Sequence, residues 1–335
     1  MMRLTKSAVR IKIAVLLTGC ALFTSLAPLT AGAVTVDTRP TLAQLATLLQ
    51  QSSTATQLPA EAKTMMTNVA SKYSGFYVGL AKSRSTHCDA KTGQATIPAN
   101  PGVTCLFGQP TAKRTIVLFG DSQANMWTPA FHELGILLNI RVVAFSKPSC
   151  PPWGYVVTQT SGAAYPDCTL WRTAVRNYIN TSHPTYVVLT GVSGFMSATH
   201  RPSPQELATG VKTAADLLKP SKSKIILLSN IPWLRSAGSG ADTNSCMSAN
   251  PTSISNCFAL RTSDALVNDV GTGLWQASRN QHLPIVDVSN LFCSPTTCVS
   301  VVGKQLVYSD RFHALASYMT YISRAFVPLI SPKLT

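Results

Sequence analysis

Residues 116–123 read Ile-Val-Leu-Phe-Gly-Asp-Ser-Gln, and far downstream the chain reads Tyr308-Ser309-Asp310-Arg311-Phe312-His313. The two segments hold the residue types of a serine nucleophile and its base. A serine hydroxyl is a weak nucleophile until a neighbouring base takes its proton, and the base needs a partner that fixes its tautomer. Ser122, His313 and Asp310 supply nucleophile, general base and orienting carboxylate. Gly120 permits a tight turn, so Ser122 can stand at the C-terminal end of an apolar strand with a helix starting behind it. Backbone N–H groups at a helix start lack intrahelical partners and can face a developing oxyanion. Each motif alone is common. The competing reading of His313 is a histidine at a helix start, packed near Asp310.

Bringing such distant segments together requires a layered scaffold, and the pattern from Thr115 onward supplies one. Apolar strands are expected at 115–119, 141–145, 185–190, 224–229 and 284–288. Helices are expected at 124–138, 169–181, 204–219, 259–281 and 314–327. Alternation with strands that are apolar throughout predicts a three-layer α/β/α fold with a mainly parallel sheet. Ligands in such folds bind beyond the C-terminal ends of the strands, where strand order reverses. Ser122 follows the first strand and Ser193 the third, while Asp310 and His313 precede the last helix. Before the sheet, Leu42, Leu45, Leu48 and Leu49 recur at helical spacing, and a second helix is expected around 60–73. Residues 34–84 thus read as a small helical N-terminal segment. Residues 85–110 read as a polar, cysteine-closed loop, 235–258 as an irregular excursion, and 293–308 as a hairpin delivering Asp310 and His313.

Gly-Asp-Ser early and Asp-x-x-His late resemble the SGNH (GDSL-like) hydrolase superfamily. Cys105-Leu106-Phe107-Gly108, Ala124, Trp127, Cys150-Pro151-Pro152 and Cys168 add a finer likeness. They resemble the SGNH domain often fused to membrane-bound acyltransferase-3 proteins, which O-acylate cell-surface polysaccharides. The resemblance covers roughly residues 85–328 and gives the domain expected at 85–330. It implies an SGNH/flavodoxin-like fold, with Ser122 as nucleophile, His313 as general base, Asp310 as its orienter, Asp121 holding the turn, and no metal or cofactor. Two positions depart from the pattern. Gln123 stands where that subfamily usually has His, and it could cap the helix or hydrogen-bond substrate. Gly191-Val192-Ser193-Gly194 stands where the family has Gly-x-Asn-Asp, whose Asn completes the oxyanion hole. Gly191 and Ser193 are therefore the oxyanion candidates beside Ser122. A serine hydroxyl can donate one hydrogen bond there, and an ordinary turn serine is the competing reading. No second-block glycine is identifiable.

The first 33 residues read as a secretory leader. Arg3, Lys6, Arg10 and Lys12 precede an apolar run, and Ala31-Gly32-Ala33 fits a cleavage site. The rivals are a lipoprotein box ending at Cys20 and an uncleaved N-terminal anchor. The remaining cysteines fall into four sequence-local pairs: Cys88 with Cys105, Cys150 with Cys168, Cys246 with Cys257, and Cys293 with Cys298. An even set in a secreted chain reads as disulfides, and this pairing closes loops of similar size to those of the resembled subfamily. Zinc is the competing reading, but Cys-x-x-Cys and His-rich spacings are absent.

Formal charge is +15, and removal of the four leader cations leaves +11. Charged residues are 12% of the chain, against about 25% in ordinary globular domains. The positive excess comes from scarce carboxylates rather than a basic stripe with aromatics, so nucleic acid is not an expected partner. Trp127, Trp153 and Trp233 follow strand ends and could stack on a sugar, with core packing as the alternative. Trp171 and Trp275 read as packed helix residues and His132 as solvated.

The expected function is an extracytoplasmic, secreted or periplasmic, esterase or O-acyltransferase. It would act on O-acyl groups of a cell-envelope polysaccharide, with a separate membrane acyltransferase as a possible partner. The alternative is a weak or inactive SGNH scaffold that binds glycan.

Overall fold

A computed structural model describes residues 37–71, 85–159, 161–197, 199–234, 243–261, 269–310 and 312–335. The expected leader, its cleavage site and Cys20 lie outside these residues. Within residues 39–335 the organising element is strand β2 (Thr115–Gly120), five of whose six residues are buried. Beside it run β1 (Leu106–Gly108), β3 (Arg141–Ser146), β4 (Tyr186–Thr190) and β5 (Lys224–Leu228). Strand β6 (Ala259–Leu260) lies apart, and β7 (Ile285–Val286) closes the six-stranded sheet in the order β1-β3-β2-β4-β5-β7. The β1–β3 pair is antiparallel, and the other four pairs are parallel. Strands buried on both faces carry near-continuous Val, Ile, Leu and Phe, as Ile116–Phe119 and Val187–Leu189 do.

The register decides where chemistry can occur. Gly120 aligns with Ser146 of β3 and with Thr190 of β4, so three adjacent strands end at one level. The chain leaves β2 for β3 on one side and returns to β4 on the other, which opens a crevice at that level. Gly120 makes the level possible. A Cβ there would lie 1.9 Å from the Thr190 carbonyl oxygen and 3.1 Å from the Ala124 side chain.

Helices α1 (Leu42–Ser52) and α2 (Ala60–Ser71) precede the sheet, and α3 (Ser122–Leu138) leaves β2. Next come α4 (Pro166–Ser182) and α5 (Pro204–Leu217). The last three are α6 (Asp269–Gln281), α7 (Ala316–Tyr321) and α8 (Ser323–Ile330). A capping box between Thr41 and Gln44 starts α1, whose Leu45 and Leu49 are fully buried in the common core. Arg39 fastens this end by pairing with Glu133 of α3 at 2.5 Å. The N-terminal helices thus share the core of the sheet domain.

All four cysteine pairs are disulfides: Cys88–Cys105, Cys150–Cys168, Cys246–Cys257 and Cys293–Cys298. They tie down loops that a sheet cannot order. After the last pair, a two-stranded hairpin pairs β9 (Val301–Val302) with β10 (Gln305–Leu306); β8 (Thr297–Cys298) precedes it and pairs with β6.

Four expectations are corrected. Leu106–Gly108, expected within a loop, is an edge strand whose pairing with β3 cannot be seen locally. Ala259 and Leu260, expected to begin a helix, are held extended by Cys298 and Thr297. His132 is not simply solvated, because its Nδ1 accepts the Gly108 N–H at 3.0 Å. Trp275 is 38% exposed, whereas Trp171 is buried.

Because the Gly120 clash is with backbone oxygen, no side-chain rotation relieves it. Gly120→Ala should destabilise the fold by at least about 3 kcal/mol. Denaturant melts of the two proteins measure this, and equal midpoints would contradict the register.

Candidate active site

Asp121 begins the site. It is the N-cap of α3, and its Oδ1 accepts the Gln123 N–H at 2.9 Å. Its Oδ2 accepts the Val192 N–H at 2.8 Å, from the loop beyond β4. One carboxylate thereby joins the start of the helix that carries Ser122 to the neighbouring strand's loop. Burial pushes the Asp121 carboxyl up to about 6, more than its two amide hydrogen bonds and the nearby His313 pull it down.

Ser122 follows directly, with its N–H at the helix start where no intrahelical acceptor exists. Its Oγ lies 2.8 Å from His313 Nε2. His313 Nδ1 lies 2.9 Å from both Asp310 carboxylate oxygens. Asp310 Oδ1 also accepts the N–H groups of Phe312, at 2.8 Å, and His313, at 3.0 Å. Burial pushes the Asp310 carboxyl up, but the hydrogen bond and charge of His313 together with these amides outweigh it. The net shift is downward, so Asp310 is ionised at neutral pH.

The loop carrying both residues is held from several sides. Ser309 N–H donates to the His313 carbonyl at 2.9 Å, closing the loop. Tyr308, fully buried, donates its hydroxyl to the Pro232 carbonyl at 3.1 Å. Gln123 Nε2 donates to the Phe312 carbonyl at 3.0 Å. Gln123 thus ties the loop of Asp310 and His313 to the helix that Ser122 begins, while its Oε1 stays buried without a partner among the described residues.

A cavity of about 170 Å³ opens beside Ser122, Gln123 and His313. Ser149, Thr158, Val192, Gly194, Phe195, Arg201, Trp233 and Phe312 complete its wall. A larger groove, of about 940 Å³, lies between α2 and the short helix Thr243–Ala249 and reaches Asp310 but not Ser122.

Sequence reasoning named Ser122, His313, Asp310, Gln123 and Trp233, and all but Asp310 line the smaller cavity, with Asp310 behind His313. Trp233 is only 7% exposed and packs edge-on against Phe312, centroids 5.1 Å apart. It forms wall rather than an open stacking platform. Trp153 and Trp127 are corrections, since both are fully buried. Trp153 donates its indole N–H to the Val192 carbonyl at 2.7 Å, while Trp127 packs on Phe326, centroids 4.9 Å apart. Neither can stack on a sugar.

Gly191 and Ser193 do not reach the cavity wall, which is the second correction. Asp121 takes the Val192 N–H, Trp153 takes its carbonyl, and the Tyr155 hydroxyl takes the Ser193 carbonyl. These contacts turn Ser193 inward, its Oγ 3.4 Å from the Gly194 carbonyl. Arg172 braces the same region by donating to the carbonyls of Pro151, Trp153 and Tyr155.

Ser149, Thr158, Phe195 and Arg201 escaped the sequence reading. Ser149 adopts the left-handed conformation, φ +54°, just beyond the end of β3. That conformation strains a residue with a Cβ and often marks a functional turn. Gly194, φ +74°, lies in the loop beyond β4 and lines the same cavity. Their backbone N–H groups make no hydrogen bond with a described residue, and both residues line the cavity. Only the turn-rich context of Pro148 and Cys150-Pro151-Pro152 hinted at Ser149. Among the described residues, no cluster of His, Cys, Asp or Glu could hold a metal ion.

The family model for the SGNH domain fused to AT3 domains matches residues 87–328. The chain belongs to that family. Among solved structures, the SGNH chain is similar to the periplasmic domain of a lipopolysaccharide acetyltransferase from Salmonella ser. Paratyphi A. The identity is 14% and the TM-score 0.53, over 71% of this chain and 90% of that one. It is also similar to a lipase/acylhydrolase from Enterococcus faecalis, with 15% identity and a TM-score of 0.39, over 66% and 97% of the two chains. An active-site mutant of a family two carbohydrate esterase from Clostridium thermocellum matches at 13% identity and a TM-score of 0.38, over 67% and 64%. No curated protein sequence matches the chain.

The raised Asp121 carboxyl gives a pH test with a defined sign. Its folded pKa, about 6, exceeds the ordinary 3.8. The stability from this titration is therefore fully present below the unfolded value and is lost as pH rises through 6. Asparagine does not titrate. The stability of wild type relative to Asp121→Asn should fall by roughly 2 kcal/mol between pH 4 and 7. Denaturant melts across that range measure it, and a pH-independent difference would contradict the assignment.

Proposed function

We propose that this SGNH domain is an extracytoplasmic serine esterase or O-acyltransferase acting on O-acyl groups of a cell-surface glycan. The observation that carries this reading is the continuous contact from Asp310 through His313 to Ser122 Oγ. Family membership and the acetyltransferase-like fold support the same chemistry. Four disulfides support an oxidising compartment.

In the reaction, Ser122 Oγ attacks the acyl carbonyl as its proton passes to His313 Nε2. Asp310 holds the His313 Nδ1 proton and stabilises the imidazolium. The carbonyl oxygen takes the electron pair. Free N–H groups at Ser122, Ser149 and Gly194 are the donors for that oxyanion, replacing the side chain that the Gly191-to-Gly194 stretch lacks. The tetrahedral intermediate collapses, the C–O bond to the sugar breaks, and His313 returns its proton to the departing alkoxide. An acyl-Ser122 ester remains. His313 then activates a water or a second sugar hydroxyl, which takes the acyl group and restores Ser122. Transfer needs an acyl donor, which a separate membrane acyltransferase would supply. Both outcomes share the acyl-enzyme and differ in which hydroxyl reaches it.

Ser122→Ala and His313→Ala should each lower kcat/KM on 4-nitrophenyl acetate on the order of 10³-fold, and Asp310→Asn by no more than that. Wild-type rates in Ser122→Ala would overturn the reading. Adding oligosaccharide acceptors then separates the outcomes: acetylated sugar supports transfer, and free acetate alone leaves the esterase.

A further inference from the structure

Among the described residues that line the cavity holding Ser122, Arg201 is the one lysine or arginine. Its guanidinium carbon lies 4.1 Å from the centroid of the Phe195 ring, and Phe195 lines the same cavity. Such stacking fixes a guanidinium in orientation while leaving its N–H fork open. The Phe195 segment is itself held, since Thr158 N–H donates to the Phe195 carbonyl at 2.8 Å. Arg201 makes no hydrogen bond or ion pair with a described residue. The nearest acid in sequence, Glu206, is committed elsewhere. It accepts from the Ser203 N–H and hydroxyl in the capping box of α5 and pairs with His200 at 3.2 Å. Asp310 faces His313 from the far side. The positive charge at the cavity mouth is therefore left unneutralised by the described residues.

A stacked guanidinium with no partner among the described residues is suited to a planar anion, and a carboxylate matches its fork with two parallel hydrogen bonds. The cavity volume, about 170 Å³, equals roughly five or six waters at about 30 Å³ each. That is more than a two-carbon acyl group fills. Phe195 and Arg201 line this same space.

We propose that Arg201, stacked on Phe195, makes the site selective for esters bearing a carboxylate close to the scissile carbonyl. The carboxylate can reach Arg201 from either part of the ester. It can end a dicarboxylic half-ester acyl group, or it can belong to the esterified sugar, as in a uronic acid. This inference rests on the esterase or acyltransferase reading of the same cavity. Arg201 acts on selectivity, through charge and the geometry of its fork.

The catalytic test compares matched neutral and anionic esters in wild type, Arg201→Gln and Arg201→Lys. One pair is the 4-nitrophenyl esters of acetate and hemisuccinate. The other is O-acetylated methyl glucoside and O-acetylated methyl glucuronoside. In at least one pair, wild type should favour the anionic ester in kcat/KM by about 10-fold or more. That ratio should collapse towards one in Arg201→Gln and be intermediate in Arg201→Lys, which keeps charge without the fork. The first pair responding places the carboxylate in the acyl group, and the second places it in the sugar. A wild-type ratio near one in both pairs, or a ratio unchanged in Arg201→Gln, overturns the proposal.

A binding measurement separates the role of Arg201 from the esterase reading. Ligand-observed NMR of Ser122→Ala with methyl hemisuccinate and methyl glucuronoside needs no turnover. Saturation transfer to at least one acid, absent for dimethyl succinate and methyl glucoside and lost in Ser122→Ala/Arg201→Gln, supports the anion site. Equal signals for acids and neutral analogues, or signals that survive the double substitution, overturn it. If no ester is turned over, the functional reading fails while the binding measurement still decides the role of Arg201.

Discussion

The Asp121 carboxylate connects the halves of the cavity. It caps α3 at Gln123 and anchors the β4 loop at Val192. A buried carboxylate is costly unless its oxygens are satisfied, and these two amides satisfy one oxygen each. The arrangement works only because Gly120 brings β2 against the Thr190 carbonyl. With a side chain at 120, the strands would separate and the carboxylate could not span them. The position of Ser122, one residue further on, is thus set by a backbone approach and a shared anion.

His313 arrives by a longer route. Cys293–Cys298 and the β9–β10 hairpin lead the chain to Tyr308, whose buried hydroxyl fixes the entry to the loop. Ser309 and His313 close the loop, and Gln123 fastens it to α3. A second network supports the opposite side. Asn125 donates to Asp89 at 3.0 Å and Ser146 donates to it at 2.7 Å. This joins α3 and the end of β3 to the loop closed by Cys88–Cys105. Rigid support on both sides is what holds a hydroxyl and an imidazole at a productive distance.

Much of this was legible in the sequence because it is local. Ile116–Phe119 announces a buried strand, Gly-Asp-Ser its turn, and Asp-x-x-His a base beside its orienter. What stayed illegible depends on contacts between distant residues. Leu106–Gly108 is a strand only because β3 runs beside it. Trp153 and Trp233 both follow strand ends, yet one is consumed in bracing Val192 and the other forms cavity wall. The identity of a tryptophan does not encode which way it faces. The departure at Gln123 gained meaning only when the Phe312 carbonyl was found opposite it. Ser193 kept the expected position but not the expected direction, because three neighbouring side chains turn its loop.

The central claim is that Ser122 is a nucleophile activated by His313. Covalent capture with a fluorophosphonate, followed by peptide mapping of the folded protein, tests it most directly. The account predicts one adduct, on Ser122, formed on the order of 10³-fold more slowly in His313→Ala. An adduct on Ser149 or Ser193, or none on Ser122 in folded wild type, would contradict it.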